Sequence, residues 1–400
     1  MTSRRHVLAG VGGALTAGLA GCLGDSGSSG GSSNNGTAKD TDWPMPRFDT
    51  TNTAYNPEAK APRHGVLERW TFEGASATGT PAIVDGRVFL PTGKSLVALD
   101  SSSGGVLWQF DLDHGWSDGP VVHDGLVYVN ALGDLHALDV KTGEKAWSLT
   151  DVEDINTSPH LVAGEHVSPS KLFVGTENGK LLKLDLKTGR ILRRTDLFGE
   201  ITTMAYRLPI LYVGTSSGEV YALFERGTDR PFGEQWRRKV GAQIQGLVPT
   251  SEGILVDTFG GPLRCLQDGA HAGTTRWKVP AKQANSAPVY GNYTVFAAGY
   301  DSLSAHRDYD KKTKWRYNGR FDRADPVAAG DTLYVSSGDA VHGFALDGGI
   351  GMEGYRYDAK QWSHSTSLAV EGLAVADGAL FVACRPGKGE STALYCLESA

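Results

Sequence analysis

The chain repeats one short pattern along most of its length. A segment that reads Leu-Xaa-Ala-Leu-Asp, then a Lys-Thr-Gly-like turn, then tryptophan occurs at 96–108 and at 135–147. A variant that ends in arginine occurs at 181–193. The copies recur about every forty residues, and a period in that range indicates an array of small units that bury their faces against one another.

Two features of the pattern can be followed through the chain. The tryptophan that closes each copy is found at Trp70, Trp108, Trp147, Trp236, Trp277 and Trp315, with Arg193 in the same place in one copy. The small residue of the Leu-Xaa-Ala-Leu-Asp segment falls at Ala98, Ala137, Lys183, Ala222, Cys265, Ala305, Ala345 and Cys396. Eight such positions predict eight repeats.

Each period contains four short apolar runs separated by turn residues. In the copy that ends at Trp147 the runs are GPVVHDG, LVYVNAL, LHALDV and KAWSL. Four short strands per repeat are typical of a propeller blade. The 52 glycines and 4 methionines of the chain also favour turns over long helices. We therefore predict an all-β, eight-bladed β-propeller of four-stranded antiparallel blades at residues 65–400.

The two ends of the repeat region complement each other. The last repeat stops after three strands, whereas residues 65–73 form a strand-like segment with no repeat of its own. Because an open ring would leave two unpaired sheet edges, we predict that this N-terminal strand joins the last blade and closes the propeller.

The first forty residues predict export. Arg4 and Arg5 precede a mild apolar run that ends in Leu-Ala-Gly-Cys, which resembles a twin-arginine signal (residues 1–21) followed by a lipidation site at Cys22. A general secretory signal with an incidental cysteine is the alternative. Residues 22–41 are rich in glycine and serine and predict a flexible tether. The expected location is the extracytoplasmic face of the membrane, with the protein held by its lipid.

Charge and cysteine content exclude several classes of protein. The formal charge of −6 gives no basic surface for nucleic acid. The histidines and cysteines form no HxH, HExxH or CxxC motif, so no metal site is predicted. Matching the last hairpin to its equivalents places Cys384 opposite Leu394 and Cys396 opposite Val382. Diagonal neighbours of this kind are too far apart for a disulfide, so we expect free thiols.

The repeat, above all LHALDVKTGEKAW, closely resembles that of the pyrroloquinoline quinone (PQQ) propellers, which include quinoprotein dehydrogenases and non-catalytic BamB-like lipoproteins. The segment WPMPRFDTTNTAYNP resembles the one that haloarchaeal lipoproteins of this family place before the first blade. We interpret residues 42–64 as a strap laid across the ring.

The resemblance leaves two functions open. The first is a non-catalytic scaffold, a monomeric propeller without cofactor, that binds a protein, peptide or glycan. The second is a PQQ-dependent dehydrogenase with calcium beside the quinone. The sequence lacks the vicinal cysteine pair common in the alcohol dehydrogenases, and the roughly 330-residue propeller has no long insertions to enclose a dry site. These features favour the scaffold and disfavour PQQ and calcium.

A binding surface is expected where the outer strand of one blade connects to the inner strand of the next, at the channel mouth. Trp116 and Trp362 are prominent there because they lie outside the repeated tryptophan position, and exposed aromatic residues often serve recognition. The alternative for each is a packed rim residue. The candidate mouth residues are Trp116, Asp118, Asp154, Asn156, Glu200, Gln243, Asn285, Arg320, Asp322, Arg323, Trp362 and His364.

Overall fold

The structure is a computed structural model. It describes residues 42–400 except 61, 113–118, 132, 151–153, 165–166, 226–231, 280–285, 353–354, 357–358, 367 and 386–391. The predicted signal, Cys22 and the tether lie outside the described residues.

The described residues form the predicted eight-bladed β-propeller. Each blade is an antiparallel sheet whose strands follow one another from the inner strand to the outer strand. The strands of the first four blades are β3 (Ala82–Val84), β4 (Arg87–Pro91), β5 (Ser95–Asp100) and β6 (Val106–Asp111) in blade 1; β7 (Val121–His123), β8 (Leu126–Ala131), β9 (Asp134–Asp139) and β10 (Lys145–Leu149) in blade 2; β11 (His160–Gly164), β12 (Val167–Gly175), β13 (Lys180–Leu184) and β14 (Ile191–Asp196) in blade 3; and β15 (Ile201–Arg207), β16 (Ile210–Thr215), β17 (Glu219–Phe224) and β18 (Gly233–Lys239) in blade 4.

The second half of the ring follows the same plan, with a short 3-10 helix at Gly269–His271 and a small hairpin beside blade 7. The strands are β19 (Ile244–Thr250), β20 (Gly253–Thr258), β21 (Leu263–Leu266) and β22 (Thr275–Val279) in blade 5; β23 (Val289–Gly291), β24 (Thr294–Ala298), β25 (Ser302–Arg307) and β26 (Thr313–Asn318) in blade 6; β27 (Val327–Ala329), β28 (Thr332–Ser337), β29 (Ala340–Ala345) and β32 (Lys360–Ser365) in blade 7, with the hairpin β30 (Gly351–Met352) and β31 (Tyr355–Arg356); and β33 (Ala369–Ala376), β34 (Ala379–Arg385), β35 (Thr392–Ser399) and β2 (Val66–Glu73) in blade 8.

The repeated tryptophan joins neighbouring blades. In blade 2, Trp147 lies opposite Ala137 on the next strand, where a small side chain leaves room for the indole. Its Nε1 donates a 2.9 Å hydrogen bond to the carbonyl of Leu186, in the turn between the third and fourth strands of blade 3. Gly189 of that turn has φ +69, and any side chain there would overlap the Trp147 ring. The repeat therefore encodes blade-to-blade packing.

The aspartate of the pattern organises the same turn. Asp139 Oδ1 accepts hydrogen bonds from the N–H groups of Lys141 and Thr142. Asp185 does the same with Lys187 and Thr188, and the hydrogen bond from the Thr188 hydroxyl, together with these two, lowers the pKa of its carboxyl group. Such a turn fixes the glycine over the tryptophan of the preceding blade.

In blade 7 the tryptophan and small-residue positions differ from those predicted from the sequence. Trp362 lies opposite Gly343 and packs against Tyr334 with ring centroids 5.9 Å apart. This is the geometry of Trp147, so Trp362 occupies the repeated tryptophan position of blade 7, and Gly343, not Ala345, holds the small-residue position. Trp362 Nε1 has no hydrogen-bond partner among the described residues. In blades 1, 2, 5, 6 and 8 the turn between the third and fourth strands of the next blade supplies the accepting carbonyl. Blade 8 has no such turn, because its third and fourth strands, β35 and β2, come from opposite ends of the chain.

The closure of the ring follows the prediction. Strand β2 pairs antiparallel with β35 from Val66–Ser399 to Glu73–Thr392. The predicted register of the adjacent hairpin is wrong by one residue, because Cys396 lies opposite Phe381 and Ala383 opposite Leu394. Cys384 and Cys396 then point to opposite faces of the sheet. Both are buried free thiols, as predicted, and burial raises the pKa of each to about 12.

The strap crosses the centre of the ring on the side of the turns between first and second strands. Its backbone carbonyls accept hydrogen bonds from the inner strands: Pro44 from Val122, Thr50 from Tyr206, Thr53 from Tyr290 and Ala54 from Ala328. Trp43 forms a bridge to Ile83, and β1 (Tyr55–Asn56) pairs in parallel with β27. The strap thus satisfies inner edges that would otherwise lie unpaired around the channel.

Candidate functional site

The two faces of the propeller differ in what covers them. Because strands alternate in direction, the blade-to-blade connections and the turns between second and third strands share one face, which we call the mouth face. The strap lies toward the opposite face. Access to the channel is therefore expected from the mouth face, where the sequence predicts the binding residues.

Several predicted residues lie on these connections. Asn156 Nδ2 donates a 2.7 Å hydrogen bond to Glu200 Oε1, which links the connection before blade 3 to the one before blade 4. Arg320 pairs with Asp322 at 2.5 Å in the connection before blade 7, where Arg323 is exposed.

Asp154 and Gln243 also lie on such connections. They accept backbone hydrogen bonds through their own carbonyls, from Glu177 and Phe259 respectively. Trp116, Asp118 and Asn285 lie outside the described residues. That any of these residues binds a partner stays a prediction.

Two predicted mouth residues lie elsewhere. Trp362 and His364 belong to β32, the outer strand of blade 7, and the connection to blade 8 begins only at Thr366. His364 Nε2 lies 3.3 Å from Glu68 Oε1 on β2, and its ring contacts Tyr395. His364 therefore joins blade 7 to blade 8, whereas Trp362 packs against Tyr334 of its own blade, and we remove both from the candidate surface.

The mouth face carries exposed aromatic side chains that the sequence analysis missed. Phe198, Phe259 and Tyr300 expose 59%, 56% and 43% of their surfaces. Phe198 lies on the connection before blade 4, and the other two lie on turns of blades 5 and 6. The guanidinium groups of Arg237 and Arg320 lie 5.8 Å from the Phe198 ring and 5.6 Å from the Tyr300 ring. We call these three aromatic residues the aromatic arc.

The second strand of blade 5 contains an unusual buried acid, Asp257. It lies two residues after Leu255, which pairs with the small-residue position Cys265. At the equivalent position the other blades carry small or uncharged residues: Pro91, Asn130, Gly175, Gly214, Ala298, Ser336 and Ala383. The sequence carries this signal, since ILVDT stands where blades 3 and 4 have LFVGT and LYVGT.

The burial of Asp257 is compensated only in part among the described residues, by the positive charge of Arg47. Asp257 is fully buried, and neither carboxylate oxygen has a hydrogen-bond partner among the described residues. Burial raises the pKa of Asp257 well above its usual value, and the nearby charge of Asp325 raises it further. Asp325 is itself held by Arg47 of the strap at 2.9 Å and by the N–H of Ala287 at 2.9 Å. The strap therefore supplies the positive charge of this acidic part of the channel.

Other buried polar atoms near the inner strands of blades 5 and 6 lack partners among the described residues. They are Gln245 Oε1, Thr258 Oγ1 and Ser286 Oγ. Buried polar groups in proteins are usually paired with protein atoms or ordered water. Like the carboxylate of Asp257, they are buried hydrogen-bonding groups that an ordered water could satisfy.

Two further properties concern only the described part of the chain. It contains no group of three or more His, Cys, Asp or Glu side chains arranged to hold a metal ion. No helix in it has the length and apolar character needed to cross a membrane.

The sequence and the structure both match proteins with this repeat. Residues 59–258 match the family model described as outer membrane protein assembly factor BamB. The 1-butanol dehydrogenase (cytochrome c) of Thauera butanivorans is 30% identical over 154 residues, which cover 34% of this chain and 22% of the dehydrogenase. The chain thus spans about a fifth of that relative's length.

Solved structures show the same fold. BamB from Moraxella catarrhalis superposes with a TM-score of 0.62 at 14% identity and covers 84% of this chain and 100% of its own. The quinohemoprotein alcohol dehydrogenase from Comamonas testosteroni gives a TM-score of 0.66 at 14% identity, with 90% and 81% covered. At such identities the likeness establishes the fold alone.

Proposed function

Since this chain belongs to the BamB-like family of PQQ-type repeat propellers, we propose that it is a non-catalytic binding scaffold, anchored by a lipid at Cys22 outside the cytoplasmic membrane. Its mouth face binds a protein, peptide or glycan. The observation that carries the proposal is the aromatic arc, because exposed aromatic residues beside arginines are enriched at the centres of binding interfaces.

The residues of the channel support a scaffold more than a quinoprotein. PQQ carries several carboxylates, so a site for it needs available positive charge. The cation that the structure shows beside Asp257 and Asp325 is Arg47. Its guanidinium already donates hydrogen bonds to Asp325 and to the carbonyls of Ala287 and Pro288. Because Asp325 already holds this guanidinium, it is not available to bind the carboxylates of PQQ. These residues do not fit PQQ, and we derive no reaction through it.

The dehydrogenase remains the second candidate because the chain shares sequence with 1-butanol dehydrogenase. Titration of the purified protein with PQQ and calcium separates the two functions. The scaffold predicts neither saturable binding nor reduction of a dye in the presence of alcohols or sugars. Saturable binding of PQQ together with turnover of an alcohol or a sugar would overturn the scaffold proposal.

The scaffold itself is tested by co-purification from detergent-solubilised membranes after crosslinking. Replacing Phe198, Phe259 and Tyr300 together by alanine should remove the captured partner while the melting temperature changes little, because all three side chains are exposed. Tyr293→Ala is the matched control, since Tyr293 is 65% exposed but lies on the opposite face. Equal capture by the triple variant and the wild type would refute the mouth-face proposal.

A further inference from the structure

Charge is divided unevenly between the two halves of the ring. Blades 3 to 6, residues 160–318, contain 22 of the 39 Lys and Arg residues and 15 of the 45 Asp and Glu residues. They therefore carry a formal charge of +7, whereas the rest of the chain carries −13. A protein whose total charge is negative thus has a basic half that a negative surface attracts.

Part of this positive charge lies on the face opposite the mouth face, which we call the strap face. It carries the turns between first and second strands and between third and fourth strands. In blade 6 the latter turn contains Lys311 and Lys312, which are both exposed and have no ion pair with another described residue. In blade 4 the exposed Arg207 donates a hydrogen bond to the carbonyl of Thr250, a neutral partner that leaves its charge in place.

The acids nearest to these cations on the strap face are buried or already paired. Glu252 of blade 5 forms an ion pair with Arg276. Asp310 of blade 6 pairs with Arg307 at 2.6 Å, and Asp308 is buried. The two lysine charges of blade 6 are therefore not cancelled by an acid in direct contact.

Large apolar side chains are exposed on the same turns. Leu208 of blade 4 exposes 56% of its surface, and Tyr293 and Tyr309 of blade 6 expose 65% and 47%. Exposed leucine and aromatic side chains beside cations are typical of surfaces that lie in the headgroup region of a bilayer. In blades 8, 1 and 2 the turn between first and second strands carries an aspartate instead: Asp377, Asp85 and Asp124.

The described chain also begins on the strap face. Asp42 Oδ1 accepts a hydrogen bond from the N–H of Asp85, in the first turn of blade 1. The proposed lipid site, Cys22, precedes Asp42 by 20 residues. A Gly/Ser-rich segment of this length spans on the order of 25 Å as a flexible coil. A lipid at Cys22 therefore brings the strap face closer to the bilayer than the mouth face.

We propose that the strap-face turns 208–209, 292–293 and 308–312, which we call the docking turns, rest on an anionic membrane surface. Their lysines meet the phosphates of lipid headgroups, and their leucine and tyrosine side chains enter the headgroup region. The acidic blades 8, 1 and 2 are tilted away, and the mouth face points away from the bilayer. The location of the docking turns at a membrane rests on the proposed lipid anchor, but their attraction to anionic lipid does not.

Sedimentation with lipid vesicles tests the proposal without the anchor. The full chain with Cys22→Ser is mixed with vesicles of phosphatidylcholine alone or of equimolar phosphatidylcholine and phosphatidylglycerol. We expect about 30-fold tighter binding to the anionic vesicles, from two or three cations at the surface, and high salt should remove this preference. Equal affinity for the two kinds of vesicle, or no binding to the anionic ones, would overturn the proposal, even if the lipid anchor is confirmed.

Charge variants locate the contact. Lys311→Asn with Lys312→Gln removes two charges, and asparagine tolerates the φ of +57 at Lys311. Affinity for anionic vesicles should fall about tenfold. The matched control is Lys141→Gln with Lys145→Gln, which removes two exposed charges from blade 2, opposite blade 6 in the ring. Residues 1–21 are identical in all variants, so an equal loss in both pairs, or no loss in the first, would refute the docking turns.

Apolar variants test the contact with the headgroup region separately. Leu208→Ser with Tyr293→Asn should weaken binding to anionic vesicles several-fold and leave the melting temperature unchanged, because both side chains are exposed. Leu67→Ser with Leu107→Ser is the control, since these side chains are 57% and 47% exposed on the outer strands of blades 8 and 1. Binding of the first pair at the wild-type level would show that the apolar side chains of the docking turns do not enter the bilayer.

Discussion

Replacement of Asp257 by alanine should stabilise the propeller at neutral pH. The side chain is fully buried with no hydrogen-bond partner among the described residues. Alanine already occupies the equivalent position in blades 6 and 8, as Ala298 and Ala383, so the smaller side chain suits the packing of a blade. Removing a buried, unpaired polar group of this kind should raise the free energy of unfolding by about 1–3 kcal/mol.

The expected change in melting temperature follows from the size of the ring. At about 2.1 cal/mol/K per residue, some 330 residues give an unfolding entropy of about 0.7 kcal/mol/K. A gain of about 1–3 kcal/mol then raises the melting temperature by roughly 1.5–4 °C, which differential scanning calorimetry measures. The control is Ser336→Ala at the same position of blade 7. Ser336 Oγ accepts a hydrogen bond from the N–H of Ala324, so this change should lower stability by about 0.5–1.5 kcal/mol.

The pH dependence provides a second test. The pKa of Asp257 is raised in the folded state, chiefly by burial and then by the charge of Asp325. The folded protein therefore holds this proton more tightly than the unfolded chain, and wild-type stability is lost as the pH rises through the folded pKa. The advantage of Asp257→Ala should be small near pH 4 and larger at pH 7. An alanine variant that is less stable at neutral pH, or whose advantage is the same at all pH values, would refute this reasoning.

Four further changes have defined outcomes. Cys22→Ser should release a folded protein from membranes, and retention in high salt would place the anchor elsewhere. Deletion of Val66–Glu73 should abolish the main calorimetric transition, because the ring is closed by this strand. Trp147→Ala and Trp362→Ala should each destabilise the fold by about 3–5 kcal/mol, because both remove a buried aromatic side chain. A much smaller effect of Trp362→Ala would contradict its assignment to the repeated tryptophan position and favour a place on the mouth face. Cys384 should react with a thiol reagent only after unfolding, because it is buried and its pKa is raised.

The sequence predicted the fold because each blade makes the same tryptophan contact with the next blade. Trp147, Ala137 and Gly189 belong to two adjacent blades, and their spacing recurs wherever the contact recurs. The prediction went wrong in blade 7, where HGFALD contains the familiar Ala-Leu-Asp letters two residues beyond the true small position, Gly343. The letters alone could not show which residue faces Trp362, since register is a property of the paired strands.

Blade 3 shows a different limit. Arg193 and Lys183 replace the tryptophan and alanine of the pattern and lie opposite each other. The Arg193 guanidinium lies 4.8 Å from the ring of Phe232, which packs against Phe173. Lys183 and Lys171 both pair with Glu225 of blade 4. The Phe232 ring and the ion pairs of Glu225 thus take the place of one tryptophan. The sequence alone could not predict these contacts, because the residues that make them are far apart along the chain.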